Sequence, residues 1–183
     1  RSQSEAVVGS DIVFVCLPEA AVEEFCQRFR GINLNFVIKS TVPVGTTRRL
    51  REQYGLTNLV HSPEFLTARC SFTDAQCPAR NIVGDTADSC HYNRALSSSS
   101  SLIRSLSRYC SECAGLLIDL YERRFPGIQT MLMTSDESEA VKLMLNSFFA
   151  VKVAYFNEIR SLCDKLELDW ETVRAGILSD GRI

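Results

Sequence analysis

Apolar residues along this chain follow two rhythms, short unbroken runs and longer stretches at helical spacing. Asp11-Ile12-Val13-Phe14-Val15-Cys16-Leu17-Pro18 is a nearly continuous apolar run ended by proline, the pattern of a strand buried on both faces. Residues 19–29 carry Val22, Phe25, Cys26 and Phe29 on one stripe, which predicts a helix, and Gly31 just beyond suits its C-terminus. Residues 35–39 read as a second buried strand, 46–54 as a helix whose N-terminus follows Gly45, 58–61 as a third strand and 81–84 as a fourth. The serine run at 97–101 reads as a loop or a solvated helix start. Leu102, Ile103, Leu106, Tyr109, Cys110, Cys113, Leu117, Leu120 and Tyr121 then repeat at helical spacing, and Pro126-Gly127 marks the stop. Residues 128–133 predict one more strand, at the edge of the sheet.

From Asp136 the pattern changes. Asp136-x-x-Glu139 reads as a capping box, and a helix is expected from about residue 137 to about 166. At ~1.5 Å per residue it would span on the order of 45 Å. Its apolar residues, among them Val141, Met144, Phe148, Phe149, Tyr155, Phe156 and Leu162, cover most of its circumference. A helix apolar nearly all round requires cover on several sides, so a partner subunit is expected. A shorter helix is predicted at 169–177. Strands alternating with helices make this an α/β chain with a parallel sheet, and ligands of such sheets sit outside the carboxyl ends of the strands. Pro18, Ser40-Thr41 and Ser62-Pro63-Glu64 all fall at those ends.

Composition narrows the function classes. A net charge of −2 and the lack of a basic stripe argue against nucleic acid. No apolar run approaches the ~20 residues of a membrane span. Eight cysteines lie mostly within apolar strand and helix patterns, where a thiol behaves as a small hydrophobe, and a reducing, cytoplasmic compartment is expected. The chain begins at Arg1 and stops at Ile183, so part of a larger protein is expected to be missing.

Several polar groups exceed what turns and helices need. Lys142 and Asn146 share a helix face among apolar neighbours. Desolvation favours the neutral amine and suits acid–base work, while a lysine snorkelling to solvent beside a satisfied asparagine is the ordinary account of the same spacing. Thr41 can orient a water or a hydroxyl and Ser40 can approach a cofactor, yet both are also common turn residues. Glu64 reads equally as a partly desolvated base or as a helix N-terminal charge. Cys110-x-x-Cys113 lacks the second pair of a zinc site and reads as core. Cys70, Cys77, Cys90 and His91 are irregularly spaced, and no metal site is expected. A Gly-x-Gly-x-x-Gly loop is absent from the chain.

Taken in order, Lys39-Ser40-Thr41-Val42-Pro43-Val44-Gly45-Thr46, Ser62-Pro63-Glu64-Phe65-Leu66, Arg80-Asn81-Ile82-Val83-Gly84, Glu139-Ala140-Val141-Lys142 with Asn146, Asn157-Glu158 and Asp180-Gly181-Arg182-Ile183 resemble the UDP-glucose/GDP-mannose dehydrogenase family. The resemblance covers nearly the whole chain. It implies the second half of a Rossmann-like NAD-binding sheet at 1–133 and the start of a central helical dimerisation domain at 134–183. It implies NAD-dependent oxidation of a nucleotide sugar's 6-hydroxyl to the uronate, in two steps through a cysteine thioester. By resemblance Thr41 helps position water, Glu64 is the base in thioester hydrolysis, and Lys142 serves proton transfer and oxyanion stabilisation with Asn146 beside it. Phe65, Leu66 and Arg182 would contact the nucleotide sugar, Arg182 across a subunit interface. Ser40 and the turn Cys16-Leu17-Pro18 would face NAD, and the long helix would build a homodimer or a higher homo-oligomer.

Departures bound that implication. The family's glycine-rich NAD loop would lie before Arg1, and its catalytic cysteine after Ile183. Ala68 stands where many members have a second glutamate, and residues 90–101 read as an unusual loop. The 183 residues alone are expected to be inactive, and turnover of a UDP-sugar by them would overturn this. Two alternatives remain. A non-catalytic relative would keep the helix as an assembly module. A hydroxy-acid dehydrogenase would share Lys-x-x-x-Asn but leave Thr41-Val42-Pro43 and Pro63-Glu64-Phe65-Leu66 without a role.

Overall fold

The structure is a computed structural model that describes residues 7, 9–67, 69–85, 96–97 and 110–183. Its strands are β1 (Ile12–Val15), β2 (Asn35–Ile38), β3 (Leu59–His61), β4 (Arg80–Asp85), β5 (Leu96–Ser97) and β6 (Gln129–Thr134). The helices are α1 (Glu19–Arg28), α2 (Thr46–Tyr54), α3 (Ser71–Gln76), α4 (Glu112–Arg124), α5 (Ser135–Lys165) and α6 (Trp170–Leu178). The chain divides into two compact units, Arg1–Leu143 and Met144–Ile183.

The first unit is built on one six-stranded sheet in the order β1-β2-β3-β4-β6-β5. β1, β2 and β3 pair in parallel, as do β4 and β6. Alternate residues of β2 serve opposite faces. Phe36 and Ile38 join Val22, Cys26, Phe29, Leu50 and Leu59 beneath α1 and α2, whereas Val37 joins Val60, Val83, Cys113, Leu117 and Leu132 beneath α4. Helices on both faces of a mostly parallel sheet are the doubly wound arrangement. Each fully buried side chain of this size contributes roughly 1.5–3 kcal/mol.

Several expectations need correction. The sheet is not wholly parallel, because His61 of β3 meets Gly84 of β4 in an antiparallel bridge and β5 runs antiparallel to β6. β6 is not the edge strand, since β5 covers its outer side. β1 stands first in the order and leaves Phe14 exposed, so it is not buried on both faces. α3 was not anticipated, because Ser71-Phe72-Thr73-Asp74-Ala75-Gln76 buries no residue and shows no apolar stripe. Cys110 precedes α4 instead of sitting on it, though it still packs against the cluster beneath that helix. The part of the predicted helix at 102–109, the loop at 98–101, Cys90, His91 and Ala68 lie outside the described residues.

The capping box at the head of α5 is also shifted. Glu137 N donates to Thr134 Oγ1 at 3.2 Å and Thr134 N donates to Glu137 Oε2 at 2.9 Å, so the reciprocal pair is Thr134-x-x-Glu137. Asp136 instead pairs with Arg48, and Glu139 is used elsewhere. The opening turns of α5 lie close to β4. A Cβ on Gly84 would stand 2.5 Å from Ser138 Cβ and 3.0 Å from Ser135 Cα, so only glycine allows this approach.

In the second unit α5 continues to Lys165, and Glu167 adopts a left-handed φ of 54° where the chain turns. Leu168 N then donates to Cys163 O at 2.9 Å. Asp169 caps α6 by accepting from Thr172 N at 2.8 Å, and Phe156 meets Trp170 edge-on. Met144, Phe148, Phe149, Val151, Val153 and Tyr155 are exposed. No described helix is long and apolar enough to cross a membrane.

Candidate active site

Strand ends converge first through backbone ties. Ser40, just past β2, accepts from Leu17 N at 3.1 Å and donates to Leu17 O, which fastens the end of β2 to the turn after β1. His61 ends β3 and is fully buried. Its Nε2 lies 3.3 Å from the Ser40 carbonyl, which can only accept, so Nε2 carries the proton. Nδ1 is then free to accept from Ser138 Oγ at 2.8 Å. Burial, aided by the charges of Lys39 and Lys142, pushes the imidazole down to about 4 against the pull of the Ser40 carbonyl. A neutral ring thus ties the ends of β2 and β3 to α5.

Glu139 makes the second tie. Its carboxylate is fully buried and accepts from Gly45 N at 2.6 Å, Thr47 N at 2.7 Å and Thr47 Oγ1 at 2.6 Å. These are the first donors of α2, whose N-cap Gly45 has φ 88°, so a carboxylate from α5 caps a distant helix. Burial raises its pKa, and the hydrogen bonds from Thr47 and Gly45 work against that rise. The loop Thr41-Val42-Pro43-Val44 is held between these two ties.

Beside that loop opens a cavity of about 770 Å³. Cys16, Leu17, Ser40, Thr41, Glu64, Phe65 and Leu66 line it, and all were singled out in the sequence. Pro18 is instead the N-cap residue of α1. Lys142 is buried, and its Nζ donates to the Glu64 carbonyl and approaches Glu64 Oε1 at 3.3 Å. Snorkelling to solvent is therefore excluded. Glu64 Oε2 accepts from Leu66 N at 2.6 Å, and the carboxylate stays partly exposed. Lys142 Nζ and Arg80 Cζ lie 5.3 and 4.4 Å from the Phe65 ring centroid, an arrangement in which two cations share one aromatic quadrupole. Asn146 and Arg182 belong to the second unit, where both are exposed and Arg182 pairs with Asp180.

Sequence reasoning missed Lys39, Arg80 and Tyr121 as cavity groups. Lys39 Nζ donates to Ser62 Oγ at 3.2 Å and Tyr121 Oη at 3.3 Å, and burial pushes its pKa down to about 8. A lysine directly after the apolar run Phe36-Val37-Ile38 was the available signal. Tyr121 arrives from α4, 82 residues later, and nothing local announces that meeting. Cys26 and Cys113 are buried thiols pushed up to about 12 by desolvation, which suits packing and not nucleophilic attack.

Known proteins resemble this chain over most of its length. The central-domain model of the UDP-glucose/GDP-mannose dehydrogenase family matches residues 136–183. A UDP-glucose 6-dehydrogenase of Campylobacter jejuni is 31% identical over 165 residues, covering 89% of this chain and 36% of that protein. A GDP-mannose dehydrogenase of Pseudomonas aeruginosa shares the fold, with a TM-score of 0.72 at 20% identity over 98% of this chain and 41% of that one. A UDP-glucose dehydrogenase of Pyrobaculum islandicum gives a TM-score of 0.71 at 25% identity, covering all of this chain and 42% of its own. The chain thus spans well under half the length of these relatives. With the central-domain model matched at 136–183 and a relative aligned over 89% of its length, the chain belongs to the UDP-glucose/GDP-mannose dehydrogenase family.

Proposed function

We propose that this chain carries one wall of the active site of an NAD-dependent nucleotide-sugar 6-dehydrogenase, which oxidises a 6-hydroxyl to a carboxylate in two steps through a cysteine thioester. The observation that carries the reading is the buried Lys142 amine set on Glu64, which lines the cavity together with Ser40 and Thr41. A lysine and a carboxylate held together, with a hydroxyl nearby, can pass protons and orient water. Glu64 serves as the base that activates water for thioester hydrolysis, and Thr41 positions that water. Lys142 moves a proton from the substrate hydroxyl and stabilises the developing oxyanion, with Asn146 assisting. Phe65 and Leu66 contact the sugar, and Arg182 contacts it from a second subunit.

The residues present fit one end of a dinucleotide. Leu17, Tyr121 and Phe125 give the cavity an apolar wall, and Cys16, Leu17 and Ser40 border it at the strand ends. NAD, when bound, supplies the hydride acceptor for both oxidations. Ser40, whose Oγ is already fixed by Leu17, and the turn Cys16-Leu17-Pro18 face the cofactor. Residues 1–133 serve as the nucleotide-binding domain and 134–183 as the dimerisation domain. The exposed apolar residues Met144, Phe148, Phe149 and Val151 support a homodimer built on α5.

The test is a rate measurement on the intact protein with NAD and a panel of UDP- and GDP-sugars. The expected result is NADH formation with one of them, reduced at least 100-fold in kcat by Lys142→Ala, a typical contribution of an acid–base group. Absence of turnover on the panel, or a Lys142→Ala variant with unchanged kcat, would overturn the proposal.

A further inference from the structure

Lys39 stands apart from the Lys142–Glu64 pair. Its ammonium lines the cavity, yet its polar partners are two neutral hydroxyls, Ser62 Oγ at 3.2 Å and Tyr121 Oη at 3.3 Å. Among the described residues no carboxylate lies within ion-pair distance of it. The facing titratable groups are Cys16, His61, Glu64, Lys142 and Tyr121. Cys16 and Glu64 favour the ammonium and Lys142 opposes it, but burial outweighs all three. The Glu64 carboxylate is in any case engaged by Lys142 and by Leu66 N. A desolvated amine without a counter-ion favours its neutral, nucleophilic form. Arg80 lies against Phe65 without an ion pair among the described residues and offers an anion a partner, while the carboxylates of Asp74 and Glu64 line the same cavity.

We propose that Lys39 is an imine-forming lysine, which condenses with a small anionic aldehyde held in this cavity. The amine nitrogen adds to the carbonyl carbon to give a carbinolamine. The C–O bond then breaks and a C=N bond forms, with both amine hydrogens and the carbonyl oxygen leaving as water. Nothing is oxidised or reduced. The Tyr121 hydroxyl, already hydrogen-bonded to the amine, delivers the proton that the departing oxygen needs, and Arg80 holds the anionic group. This assignment does not rest on the dehydrogenase reading.

Pyridoxal 5′-phosphate, an aldehyde bearing a phosphate, is the probe. The intact protein is treated with it, reduced with borohydride and digested, and the adduct is mapped across Lys39, Lys142, Lys152 and Lys165. With its pKa near about 8 against an ordinary ~10.4, Lys39 holds on the order of 100-fold more free amine at about pH 7 than exposed lysines do. The expected result is adduct concentrated at Lys39, at a rate that levels off above about pH 8 and falls with excess inorganic phosphate. Tyr121→Phe should keep the site and slow the labelling. Lys39→Arg should abolish it there without transferring it to Lys142. Even labelling of the lysines, adduct mainly at Lys142, or a rate still rising toward about pH 10 would overturn the proposal. A protein that oxidises a nucleotide sugar while Lys39 stays unlabelled would sink this proposal alone.

Discussion

Acid should destabilise this protein through one imidazole. His61 is fully buried, donates from Nε2 to the Ser40 carbonyl and accepts at Nδ1 from Ser138 Oγ. Protonating Nδ1 would turn an acceptor into a donor facing a hydroxyl and place a cation near Lys39 and Lys142. The native ring therefore takes up a proton only near about 4, whereas the unfolded ring takes one near 6.5. Between those values the unfolded state binds more protons, so stability falls as pH falls. The slope is at most ~1.4 kcal/mol per pH unit for one proton, and over the whole window the loss is on the order of 3 kcal/mol. That is a sizeable share of the ~5–15 kcal/mol that typically holds a domain. Urea denaturation at a series of pH values measures it. His61→Gln keeps a donor for Ser40 and lowers stability at neutral pH, but its stability should fall less steeply with acid by about one proton. Parallel slopes for both proteins, or a native His61 ring that titrates near 6.5 by NMR, would refute the reasoning.

Two further outcomes follow from these packing ties and a third from the exposed face of α5. Glu139→Ala strips a partner from Gly45 N, Thr47 N and Thr47 Oγ1, so it should cost roughly 1 kcal/mol or more for each donor, read by chemical denaturation. Gly84→Ala drives a methyl into Ser138 and should cost about 1–3 kcal/mol, whereas Gly84→Ala combined with Ser138→Gly should recover part of it. If α5 builds the proposed homodimer, Phe148→Asp on its exposed face weakens self-association at least tenfold in sedimentation experiments, and an unchanged Kd would remove α5 from the proposed interface.

The strands and the long helix were readable because their signals are local. Phe36-Val37-Ile38 is an unbroken apolar run, and Glu19 to Arg28 repeats its buried positions at helical spacing. The turns at Ser40-Thr41 and Pro63-Glu64 were readable as cavity walls because parallel strands place their carboxyl ends together. What joins them was not. Lys142 reaches Glu64 across 78 residues, and Glu139 reaches Thr47 across 92. Local pattern assigned Glu139 to a capping box with Asp136, since the pattern is met equally at Thr134-x-x-Glu137 and only packing chooses between them. The edge position of β6 failed for a similar reason, because the two-residue strand β5 is too short to show any period. Lys142 itself was readable only as an ambiguity between a buried amine and a snorkelling one, and burial decides it.

The central claim is that Glu64, held by Lys142, activates water against a thioester. The most direct measurement is intact mass of the whole protein carrying Glu64→Gln after exposure to NAD and its nucleotide sugar. The account predicts a burst of NADH followed by stalling, with the sugar retained as a covalent adduct that the wild type does not accumulate. Steady turnover by Glu64→Gln at the wild-type rate, with no adduct, would contradict it.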